Sequence, residues 1–338
     1  MWQLPLVVST LLNWAQAQDA STRKAAVALP PGVSDGLAAE LAPIAASIYQ
    51  CLDMTMIVAG LRIRLKRRLH PSERTAIKEG CEERIQTLAR IHAETTRGGA
   101  AHSGPAFLPW RREYIKRFEF ALRQVDPTLY VPYWDSTLDA ALPNPADSIL
   151  FTDDFGGKTD SSGTISSGPF ANWRTLQGEP RIGRAVGKQG LGFKQSDIDF
   201  VLKQQTVDQV LVFSAPQKGC PVHTDYSCLE YSHGNVHILI GGHMLDTETA
   251  ANDPLFYLHH SFVDFIWEMW RQNTQNRNVR EQDYPWDNQA CSSPQHFGAS
   301  TLQPFGPFRN NDGLSNAYTD NMYEFAPRPT CPDCGGSK

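Results

Sequence analysis

Apolar positions recur with a helical period in several stretches of this chain, and no stretch alternates long enough to suggest a series of strands. The first pattern runs from Pro71 to His92, opens with Pro71-Ser-Glu, and places Ile77, Ile85, Leu88 and Ile91 on one buried stripe. A second helix is expected from Trp110 toward Gln124. A third opens at Asp253, an N-cap candidate, with Pro254 suited to the first helical position. It carries Phe256, Phe262, Phe265, Ile266, Met269 and Trp270, which predicts a largely buried helix. A shorter helix is expected around Tyr231–His237. Residues 136–200 are rich in Gly, Ser, Asp and Pro, the composition of loops and turns, and the segment after the third helix is irregular to about residue 330. There are no internal repeats, and the fold class is mainly α.

Composition narrows the picture. With 338 residues and 41% hydrophobic content, the chain can bury one large core. A net charge of −5, from 31 basic and 36 acidic residues, argues against a general affinity for nucleic acid or membranes. The one basic cluster, Arg62-Ile-Arg-Leu-Lys-Arg-Arg68, reads as a solvated helix face. No segment approaches the roughly 20 uninterrupted apolar residues that span a bilayer. Leu4–Leu12 followed by Ala15-Gln-Ala17 reads as an export signal, so a secreted, extracellular protein is expected. Seven cysteines, Cys51, Cys81, Cys220, Cys228, Cys291, Cys331 and Cys334, fit that compartment and allow up to three disulfides. Cys331-Pro-Asp-Cys334 lies in a Gly-rich tail with no second pair, which favours bridging over redox or zinc chemistry. No Asn-x-Ser/Thr sequon occurs. The organisation expected is a signal peptide at 1–17, an extension at 18–60, one domain at 61–330 and a short tail at 331–338.

The candidate chemistry lies in the histidines. His233 and His237 are one helical turn apart on one face, and His260 lies on the next helix. Two inward-facing helices can bring these three neutral imidazoles to one ion, a donor set suited to copper, zinc or iron. A zinc hydrolase finds little support, because no convincing general base accompanies the trio. His92 and His102 form a second pair upstream.

The surrounding motifs resemble the tyrosinase family. The stretch Glu230–Asp264, with Gly241-Gly242 and Asn252-Asp-Pro-Leu-Phe-Tyr-Leu-His-His-Ser-Phe-Val-Asp264, is similar to that family's second copper motif. His102-Ser-Gly-Pro-Ala-Phe-Leu-Pro-Trp110, continuing to Phe118-Glu119, is similar to its first. Pro132-Tyr-Trp-Asp135, Asn311–Tyr318 and Tyr323-Glu-Phe325 also match, from about Arg64 to about Cys331, in the style of secreted animal tyrosinases such as those of nematodes. The resemblance implies a type-3 pair of coppers, three histidines each, housed in an antiparallel four-helix bundle with long irregular loops. Its substrates would be a phenol or catechol and dioxygen, oxidised to a quinone. His233, His237 and His260 would hold the second copper; His92 and His102 would hold the first. Glu230 matches a glutamate thought to orient a water that helps deprotonate phenols. Gly234 stands where many efficient phenol-hydroxylating members carry asparagine, which tilts the expectation toward catechol oxidation. Ala100 stands where many eukaryotic members have a cysteine linked to the following histidine, so that crosslink is absent. His259 and Asp264 are expected to support the ligands or pack; His70, His223, His243 and His296 have no ligand spacing. A C-terminal shielding domain, found in many relatives, is not expected.

One position breaks the pattern. The third ligand of the first copper belongs after Phe107-Leu-Pro-Trp110, and the chain has Arg111 there. A guanidinium stays protonated and has no lone pair for a metal. With Pro109 read as the first helical residue, Arg111 falls in the first turn, where the helix dipole already disfavours a cation. Two unit charges ~4 Å apart repel by about 4 kcal/mol at an effective dielectric of 20. Either the side chain swings outward or the first copper fails to bind. Two functions follow: a phenol or catechol oxidase with an impaired first site, or a degenerate member that keeps the scaffold for binding or structure.

Overall fold

A computed structural model describes residues 86, 88–95, 99–125, 130–140 and 142–328. Among these the chain is mainly helical and no strand forms. Isolated bridges join Thr159 to Ile165, Thr164 to Gly183 and Thr301 to Arg309. The helices that position the site are α1 (88–95), α2 (Phe107–Val125), α3 (Gln195–Leu202), α4 (Leu229–Ile240) and α5 (Leu255–Thr274). None among the described residues is long and apolar enough to cross a membrane. The export stretch, the basic run at 62–68 and the start of the first helical pattern lie outside the described residues, as do Cys51, Cys81, Cys331 and Cys334.

α5 is the central element, and α2, α3 and α4 all pack on it. Its Phe256, Phe262, Val263, Ile266 and Trp270 are wholly buried, as the hydrophobic pattern requires. Each such side chain contributes about 1.5–3 kcal/mol when fully buried. The expected cap forms: Asp253 Oδ1 accepts the Leu255 N–H at 2.9 Å. The same carboxylate pairs with Arg184, whose Nε and Nη2 donate at 2.6 and 2.8 Å, so the long loop before α3 is tied to the start of α5.

α2 starts two residues earlier than the proline suggests. Pro109 is its third residue, a place where no N–H has an intrahelical partner, so the ring costs no hydrogen bond. Arg111 therefore lies in the second turn, on the face turned to the interior. Next to it, Arg112 donates to Asp264 and Glu268 of α5, each at 2.7 Å. Arg271 donates to Glu268 at 2.5 Å and Tyr323 to Asp264 at 2.6 Å. A buried network of this kind fixes the register of two helices more than it stabilises them, but removing one member is costly.

α4 ends at Gly241 and Gly242, with φ of 64° and 56°. A Cβ on Gly242 would meet the Gly183 carbonyl oxygen at 2.1 Å, so only glycine allows that close approach. The reversal sends the chain through Met244 and back into α5. A disulfide joins Cys220 to Cys291, while Cys228 is a buried free thiol.

Candidate metal centre

Four helical segments supply the side chains that meet beneath the α2–α5 contact. α4 presents His233 and His237 with ring centroids 4.8 Å apart, as their spacing predicts. His233 Nδ1 donates to the Glu230 carbonyl at 2.7 Å, and His237 Nδ1 donates to the Met244 carbonyl at 2.8 Å. A carbonyl only accepts, so in each neutral ring Nδ1 carries the proton and Nε2 keeps a lone pair. Backbone carbonyls thus play the orienting part expected of His259 and Asp264. Asp264 belongs instead to the Arg112 network.

α5 contributes the adjacent pair. His260 Nε2 lies 3.2 Å from His237 Nε2, and its ring centroid is 4.9 Å from that of His233. His259 stacks parallel on His233 at 5.3 Å and directs Nε2 to the His233 carbonyl at 3.1 Å. By distance alone His233, His237 and His259 form a trio with ligand atoms within 4.8 Å. His259 Nε2 donates to that carbonyl, which leaves the lone pair on its Nδ1, buried and without a hydrogen-bond partner among the described residues, so His259 and His260 each have a nitrogen to offer. Two donors on a tetrahedral ion with bonds of about 2.0 Å stand about 3.3 Å apart, close to the His237–His260 separation. His233 Nε2 is buried with no hydrogen-bond partner among the described residues. Burial drives the pKa of all these imidazoles down, that of His237 to about 4, so they are neutral at physiological pH. The donor set downstream fits copper.

The upstream half differs. His92, on α1, is buried with neither ring nitrogen hydrogen-bonded among the described residues. It packs edge-on to His102 at 5.0 Å and to Phe256 at 4.8 Å. Arg111 is 1% exposed and does not swing outward. Its guanidinium carbon sits 5.4, 5.1 and 5.4 Å from the ring centroids of Phe107, Trp110 and Phe256, and Nη2 lies against His102 Nε2. The outward swing, one of the two outcomes expected, is not what the chain adopts: Arg111, in the second turn of α2, turns into this aromatic cage. Burial, opposed by the fields of Tyr114 and Glu230, lowers its pKa to about 9, so it stays charged at neutral pH. A cation holding the lone pair of His102 does not fit a copper ion at that place.

Glu230 links the two halves. Oε1 accepts the Ser103 N–H at 2.6 Å, and Oε2 accepts the Ser214 hydroxyl. Ser103, next to His102, has a φ of 71°, a left-handed backbone uncommon for a residue with a side chain. Burial pushes the Glu230 carboxyl up to about 7 against these hydrogen bonds. His296 holds the same loop from the other side. Its Nδ1 accepts the Ala106 N–H at 3.4 Å, and a Cβ on Gly104 would come within 2.8 Å of that nitrogen. Its 194-residue separation from His102 gave no sequence signal for this contact. His243 accepts the Gly183 N–H at 2.8 Å, away from the cluster, and Gly234 has open space where a side chain would be.

Comparison with known proteins gives a consistent result. The common central domain of tyrosinase matches residues 82–273. The tyrosinase-like protein tyr-3 of Caenorhabditis elegans is 46% identical over 98% of this chain and 51% of its own length. Tyrosinase-like protein 1 of Margaritifera margaritifera is 31% identical over 75% of this chain and 50% of its own. The chain thus spans about half the length of these curated relatives. Among solved structures, a polyphenol oxidase from Thermothelomyces thermophila superposes with a TM-score of 0.57 at 18% identity, covering 96% of this chain and 98% of that one, a likeness of fold.

Proposed function

The chain belongs to the tyrosinase family, and we propose that it is a copper oxidoreductase of the tyrosinase type, acting on phenols or catechols with dioxygen, whose first copper site is impaired by Arg111. The observation that carries this is the convergence of His233, His237 and His260, neutral imidazoles with ring centroids 4.8–5.3 Å apart and with His233 and His237 fixed through Nδ1. In this reading the three hold one copper, which when bound supplies one-electron redox chemistry. Phe107 packs on His233 and Phe256 on His260, with ring centroids 4.8 and 4.2 Å apart. Glu230 holds the His102 loop against α4 and, with a pKa near neutrality, can take a phenolic proton or return it. His92 and His102 remain as an incomplete second set, and α1, α2, α4 and α5 correspond to the four-helix core. The Cys220–Cys291 bridge supports export to an oxidising compartment.

One observation favours the second reading, a degenerate member retaining at most one metal: the Arg111 guanidinium against His102 Nε2. Quinone formation from a simple catechol separates the two. Activity in the native chain that disappears in His237→Ala supports an oxidase. Inactivity that is relieved in Arg111→His assigns the defect to that residue. Inactivity of both supports the degenerate member.

A further inference from the structure

Arg111 carries its charge into the interior, where no carboxylate among the described residues pairs with it. Its Nε and Nη1 are buried and have no acceptor among the described residues, while Nη2 has only the imidazole of His102. The rings of Phe107, Trp110 and Phe256 meet the charge with their π faces. In-plane N–H donors need lone pairs, which rings do not provide. The imidazoles of His92 and His102 carry no carboxylate partner among the described residues, and the Tyr114 hydroxyl donates to the Leu88 carbonyl at 2.9 Å. Glu230 is the carboxylate whose field reaches Arg111, and both of its oxygens are already hydrogen-bonded to Ser103 and Ser214. A buried, unpaired cation with unused donors is costly, and an anion that accepts from it relieves that cost.

We infer that this pocket, where the family would place a cation, is a carboxylate-binding subsite built on Arg111. The occupant is a monoanionic carboxylate, either free or borne by an aromatic acid. It accepts from Nε and Nη1 while Phe107, Trp110 and Phe256 enclose it. This rests on the pocket being closed to the first copper, and it turns that misfit into a recognition element: an acidic phenol is preferred over a neutral one, oriented by its carboxylate.

The test uses the full chain, stripped of metal with a chelator and also loaded with copper. Formate, benzoate and the neutral benzamide are titrated by calorimetry into the native chain, Arg111→Met and Arg111→Lys. Charge-assisted hydrogen bonds predict benzoate affinity roughly 10- to 100-fold tighter for the native chain than for Arg111→Met. Benzamide should not distinguish them. Arg111→Lys, which keeps the charge, should retain part of the effect and serves if Arg111→Met does not fold. Formate binding as well as benzoate assigns a general carboxylate site; benzoate alone assigns an aromatic acid. Equal affinity in native chain and Arg111→Met, no carboxylate binding, or binding to the copper-loaded sample alone overturns the inference. Copper content is read separately: failure of carboxylate binding at one copper per chain leaves the metal assignment standing, and two coppers per chain overturns that assignment instead.

Discussion

Replacing Arg111 with methionine removes a buried charge while keeping most of the side-chain volume. Burial brings the guanidinium down to about 9, from an ordinary value of about 12.5. At 1.36 kcal/mol per pH unit that difference corresponds to about 5 kcal/mol against the charged form. The three ring contacts at 5.1–5.4 Å return about 2 kcal/mol together. Metal-free Arg111→Met should therefore be more stable than the native chain by about 2–3 kcal/mol. The folded-state pKa is depressed for a base, so the folded chain binds fewer protons than the unfolded one between pH 9 and about 12.5. The handicap is fully present below pH 9, and the difference should be constant from pH 6 to 8 apart from any coupled response of Glu230. Urea unfolding at pH 7 with chelator present measures it. Arg112→Met is the internal control: it leaves the buried Asp264 without its cation, while Glu268 keeps only Arg271, and it should lose about 3–5 kcal/mol. Adjacent arginines thus give opposite signs. A loss of more than about 1 kcal/mol in Arg111→Met would show that the guanidinium is a satisfied structural cation and would refute the reasoning.

Other outcomes follow from the same geometry. The Glu230 carboxyl is raised to about 7 in the fold, so the folded chain binds more protons than the unfolded one between pH ~4.5 and 7. Its contribution to stability falls as pH rises through that window; unfolding curves at pH 5 and 8 should show Glu230→Gln gaining about 2–3 kcal/mol on the native chain. Gly234 lies on α4 with open space at its Cβ position, so Gly234→Ala should raise stability by about 0.5–1 kcal/mol in a melt. The Cys220–Cys291 bridge closes 71 positions of chain, and Cys220→Ser should cost about 2–4 kcal/mol by denaturant titration.

What could be read from the sequence was local. The Asp253-Pro254 lead into α5, the facing of His233 and His237, and the irregular character of residues 136–194 follow from spacing and turn chemistry within a few residues, whereas α3 begins at Gln195 inside the stretch read as loop. Orientation between distant segments was not legible. The His296 contact with the His102 loop and the Arg112 network to α5 are set by packing of segments far apart in sequence. Pro109 misled because a proline is tolerated anywhere in the first turn, not only at its first residue. Charge repulsion was a sound reason to doubt a copper there, but outward rotation was not the way the chain resolves it: three aromatic rings and one imidazole take the guanidinium in.

The most direct measurement is copper per chain, by elemental analysis of protein reconstituted with excess copper and then dialysed. About one copper is expected in the native chain, lost in His237→Ala, with a second taken up by Arg111→His. Two coppers retained by the native chain would contradict the claim that Arg111 closes the first site.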